Sequence, residues 1–71
     1  MRRQITQIFM FQSFSNEYFY KVIRKLRGMG GNIMNYKCES RTYTVIMSSE
    51  IYVYEKLRNY IKLLDEVEIL L

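Results

Sequence analysis

Apolar positions alternate with polar ones in several short stretches of this chain and recur at helical spacing in two longer ones. From Ile5 to Phe11 nearly every residue favours a strand. The apolar density there predicts a strand buried on both faces or nearly so. Ser13 to Asn16 breaks the run. Ser15 is placed to cap a helix, and Glu17 falls in its first turn, where the helix dipole favours a negative charge. Phe19, Val22, Ile23 and Leu26 then form one helical stripe. Gly28, Gly30 and Gly31 end it.

Two alternating stretches follow. Asn32 to Glu39 sets Met34, Tyr36 and Cys38 against Asn35, Lys37 and Glu39, and Ser40-Arg41 predicts a tight turn. Thr42 to Met47 sets Tyr43, Val45 and Met47 against Thr42, Thr44 and Ile46. Ser48 or Ser49 is expected to cap a second helix with Glu50 just inside it. Val53, Leu57, Ile61 and Leu64 mark its buried stripe, flanked by Tyr54 and Tyr60. Val67, Ile69 and Leu71 predict a last strand.

The order is β-α-β-β-α-β. Right-handed crossovers put both helices on one face of a four-stranded antiparallel sheet. The predicted class is therefore α+β, ferredoxin-like, with residues 1–71 forming a single domain. The other sheet face is left to Asn35, Lys37, Thr42, Thr44 and Glu68, with some apolar residues from the first strand.

Size sharpens this picture. With 71 residues the chain buries a marginal core. Cys38 is the only cysteine, so an internal disulfide is excluded, and it reads as a small buried apolar residue in a reducing compartment. Self-association is the remaining source of stability. No apolar run approaches the roughly 20 residues of a membrane span, and Gln4, Gln7 and Gln12 interrupt any signal-peptide core. The expectation is a soluble, cytoplasmic protein. The formal net charge of +4 permits an acidic partner without demanding one.

Candidate chemistry is sparse. The absence of histidine removes the common triads and imidazole metal sites. No other residues have the spacing of a catalytic site, and no cofactor or metal site is expected. Asp65, Glu66 and Glu68 read as a solvated helix end rather than a hard-metal site. Lys21, Arg24, Lys25 and Arg27 form a basic helix face. With Phe9, Phe11 and Tyr43 on neighbouring strands they raise an RNA-recognition reading, in which sheet aromatics stack bases. Arg41-Thr42-Tyr43-Thr44-Val45-Ile46 matches part of the corresponding strand motif but lacks its glycine and second aromatic. Five tyrosines on the helices (Tyr18, Tyr20, Tyr52, Tyr54 and Tyr60) suit an interface.

A family pattern spans nearly the whole chain. Lys21-Val22-Ile23-Arg24 through Gly30-Gly31-Asn32-Ile33 resembles the end of the first helix and start of the second strand in ACT domains. Ser40-Arg41-Thr42-Tyr43-Thr44-Val45 resembles the third strand of acetolactate synthase small subunits. Glu55-Lys56-Leu57 with Ile61-Lys62-Leu63-Leu64-Asp65 resembles their second helix, and the opening Met1-Arg2-Arg3 is similar too. The resemblance implies a regulatory subunit without catalysis of its own, which pairs with its own copy and activates the catalytic large subunit. The thiamine diphosphate, FAD and Mg²⁺ belong to that large subunit. The implied dimer interface comprises Gly30, Gly31, Asn32, Ile33, Met34 and Tyr36. The implied effector loop comprises Ser13, Ser15, Asn16 and Glu17. Effector-binding members carry a glycine in this loop, whereas this chain has Glu17, whose charge would repel a ligand carboxylate. Activation without valine feedback is therefore expected. A stand-alone ACT-type dimer, as sensor or assembly module, is the alternative, and an RNA-binding module is the third reading.

Overall fold

The computed structural model describes residues 3–71; the opening Met1 and Arg2 lie outside the described residues. The elements run β1 (Gln4–Gln12), α1 (Asn16–Gly28), β2 (Asn32–Glu39), β3 (Thr42–Glu50), a 3₁₀ turn (Ile51–Val53), α2 (Tyr54–Ile61) and β4 (Glu68–Ile69). The sheet order is β2-β3-β1-β4, antiparallel throughout. This is the ferredoxin-like α+β arrangement expected from the pattern.

The core lies between the sheet and the two helices. Phe9, Phe11, Tyr43, Val45 and Met47 from the central strands meet Phe19, Val22, Ile23 and Leu26 of α1. Leu57, Ile61 and Leu64 complete it. Rings carry much of this packing: Phe19 stacks on Tyr43 with centroids 3.9 Å apart, and Phe11 lies 5.9 Å from Tyr43. Burying aromatics of this size contributes most per residue in a small core.

α1 is closed at both ends. The Ser15 hydroxyl accepts the Tyr18 N–H at 3.1 Å. At the far end the Gly30 N–H reaches Arg27 O and the Gly31 N–H reaches Leu26 O at 2.9 Å, the crossed pair of a Schellman cap. Gly30 takes φ +107°, which a side chain resists. Gly31 is needed for space: a Cβ there would stand 2.5 Å from Met47 Sδ.

Several details depart from the sequence expectation. β1 is fully buried on one face only: Gln7, Phe9 and Phe11 face the core, while Ile8, Met10 and Gln12 are half-buried on the open face. β3 continues through Ser48, Ser49 and Glu50, because β1 begins at Gln4 and supplies a partner for each. Ser48 and Ser49 therefore sit in the sheet, and neither caps α2, which has no side-chain cap. Val53 falls in the 3₁₀ turn, half-buried, and Leu64 is buried beyond the last residue of α2. β4 is shorter than expected, although Leu70 N–H still donates to Ile8 O at 2.8 Å.

β2 contains the least expected departure. Its register against β3 shifts between Ile33 and Asn35, leaving Met34 as a bulge residue, 59% exposed. Ile33 opposes Met47 on the core face, and after the bulge Tyr36 and Cys38 oppose Val45 and Tyr43 there. Strict alternation had placed Met34 in that row.

Candidate functional site

The loop after β1 forms one wall of the larger cleft. Ser13 is buried, its N–H donating to Arg41 O at 2.9 Å and its hydroxyl to Ser15 O at 2.6 Å. These bonds tie the loop to the β2–β3 hairpin. That hairpin turns on Ser40 and Arg41, with φ 51° and 68°, the paired left-handed geometry of a two-residue turn. The cleft between loop and hairpin holds about 260 Å³ and is lined by Ser13, Phe14, Ser15, Asn16, Cys38, Arg41 and Tyr43.

The structure thus brings together three of the four expected loop residues, Ser13, Ser15 and Asn16. Glu17 is exposed on the first turn of α1 and does not line the cleft. The charged side chain that does is Arg41, whose guanidinium lies 5.5 Å over the Phe14 ring. Sequence reasoning missed Phe14, Arg41 and Tyr43 here, since hairpin and loop meet only through the sheet order. Cys38, expected to be buried, is exposed. Tyr43 donates its hydroxyl to Asn16 Oδ1 at 3.2 Å. Burial pushes its phenol above the ordinary value, and the neighbouring Cys38, Tyr20 and Tyr36 add to the rise.

The α1 terminus is already engaged. Ser15 occupies the Tyr18 N–H with its hydroxyl, and its carbonyl accepts the Phe19 N–H at 3.3 Å. Among the described residues no group of three or more His, Cys, Asp or Glu side chains could hold a metal ion. No helix of the described residues is long and apolar enough to cross a membrane.

The second candidate region is the outer edge of β2, the terminal strand on its side of the sheet. Of the expected interface residues, Asn32, Met34 and Tyr36 are exposed, Ile33 is half-buried, and Gly31 is buried beneath Met47. Gly30 serves the helix cap. Tyr20 of α1 flanks this edge: both Tyr20 and Tyr36 pack on Phe19, at 5.5 and 4.9 Å. Tyr20, Met34 and Tyr36 are each about half exposed, at 54%, 59% and 49%.

The open sheet face carries Ile8, Met10, Thr44, Ile46, Asn35 and Lys37, with a shallow groove of about 100 Å³ beside β2. Phe9, Phe11 and Tyr43 are absent from it, being buried under the helices. Compared with known proteins, the chain matches no family model, no curated protein and no solved structure.

Proposed function

We propose that this chain is an ACT-type regulatory module that acts by pairing with its own copy and binding a partner enzyme. The observation that carries the reading is the β2 edge, a long terminal strand with an exposed apolar flank on a fold too small for a large core. The finer reading, the small subunit of acetolactate synthase, rests on the sequence resemblance. The basic outer face of α1, with Lys21, Arg24, Lys25 and Arg27, suits an acidic enzyme surface.

Activation without valine feedback remains the reading, on a different ground from Glu17. A ligand carboxylate would need the first N–H groups of α1, and Ser15 already holds one of them. The RNA-binding reading loses its support, because the aromatics that would stack bases face the core.

The test is reconstitution. The chain is expected to co-elute with a candidate large subunit and to raise its rate of acetolactate formation from pyruvate, with no response to valine, leucine or isoleucine. A chain that dimerises but neither binds nor activates any large subunit would move the assignment to the stand-alone module. Sub-millimolar binding of one of these amino acids, lost on changing Asn16, would restore feedback sensing.

A further inference from the structure

The backbone of β2 selects how a second copy can dock. The two-residue turn makes Glu39 and Thr42 a hydrogen-bonded pair. Counting back, Lys37 and Asn35 also bond to β3, whereas Tyr36 and Cys38 turn their N–H and C=O groups to the open edge. The Tyr36 N–H is not free: it donates to Asn35 Oδ1 of the preceding residue at 2.8 Å. Asn35 therefore plugs one outward donor, and Cys38 keeps both its donor and its acceptor for a partner.

A second copy adding antiparallel to this edge, with helices on the same side, must centre its two-fold axis on a single residue. Centred on Tyr36, the seam needs the plugged N–H and sets Lys37 against Asn35 of the other copy. Centred on Lys37, it needs the same N–H and sets the two lysines face to face, a repulsive pair. Centred on Cys38, it leaves the Asn35 bond intact and closes a reciprocal pair between the two Cys38 backbones. On the open face, where Lys37 and Glu39 lie opposite Thr44 and Thr42, it sets Lys37 of each copy against Glu39 of the other.

We infer that the chain self-associates through β2 with the two-fold axis at Cys38, locked by two reciprocal Lys37–Glu39 pairs. This rests on the dimer reading above. Cys38 also lines the cleft, so the seam runs along the mouth of that cleft in both copies.

Sedimentation of the full chain with charge swaps tests the inference, and thiol trapping checks it independently. Lys37→Glu and Glu39→Lys, each alone, are expected to weaken the dimer about tenfold or more by opposing like charges twice. The combined variant is expected to return to the wild-type dissociation constant. Copper-phenanthroline with oxygen, which takes two electrons and two protons from the thiol pair, is expected to join Cys38 to Cys38. In a Tyr36-centred seam those residues lie roughly 13 Å apart along the strands and do not join. A dimer indifferent to both single swaps, or one trapped in a Cys38→Ser background through Tyr36→Cys, would overturn the register and leave the dimer reading standing. A wild-type chain that stays monomeric at high micromolar concentration would overturn both.

Discussion

Ser15 and Ser49 stand at matching places, each near the junction of a strand with the helix that follows, and they do opposite things. Ser15 leaves the sheet and closes the first turn of α1 with its hydroxyl. Ser49 stays in the sheet opposite Ile5, and its buried hydroxyl finds no hydrogen-bond partner among the described residues. The difference lies in the neighbouring strand. β3 has β1 beside it up to Gln4, so continued pairing outweighs the local preference of serine for a cap. α1 is thus specified locally at both ends, whereas α2, eight residues without a side-chain cap, is held mainly by what it buries.

The sharpest way to break this comparison is to remove the anchor of α2. Leu57→Ala is expected to cost about 2–5 kcal/mol, a large fraction of the stability of so small a domain. Urea denaturation followed by circular dichroism measures it; a cost below 1 kcal/mol would mean that α2 has some support other than its buried stripe. Gly31→Ala comes next, at about 1–3 kcal/mol, because the new methyl must displace Met47. Pairing it with Met47→Ala in a double-mutant cycle should recover part of that cost.

The two serines themselves give smaller effects of different sign. Ser15→Ala is expected to lose about 1 kcal/mol. Ser49→Ala is expected to leave stability unchanged or raise it by up to about 1 kcal/mol, since it removes a buried hydroxyl without a partner among the described residues. Equal losses in thermal melts of the two variants would contradict the roles assigned to them. The smallest effect is in pH. The Tyr43 phenol is raised above 10.0 in the folded chain, so its contribution is fully present below that pH and is lost as pH climbs through the raised value. Urea midpoints of wild type and Tyr43→Phe should therefore keep a constant difference from pH 6 to 9. Above about pH 10 the difference should shift in favour of the phenylalanine.

The first half of the fold was legible from local signals. The α1 stripe, its Ser15 cap, its closing glycines and the Ser40-Arg41 turn each follow from residue type and spacing within a few positions. The second half was less so. The end of β3 depended on the length of β1, and the short β4 on where Ile8 offers its backbone. The bulge at Met34 was hidden because Met34 and Ile33 are equally apolar, so the pattern reads well in either phase. At the candidate site the loop residues were legible as a polar break, but Arg41 was not. It reaches the loop only because the β2–β3 turn and the end of β1 share one end of the sheet, a fact of strand order.

The bulge at Met34 has a consequence for solubility. An eight-residue edge strand without proline is a template on which further strands can stack, and open-ended stacking ends in filaments. One extra residue twists the first part of β2 out of line with the rest, so only the stretch beyond it remains straight enough to template another chain. The opposite margin of the sheet offers only the two residues of β4. Growth from one margin therefore has little to continue on at the other, so a strand that adds to β2 gains no matching second edge from which a fibre could run on.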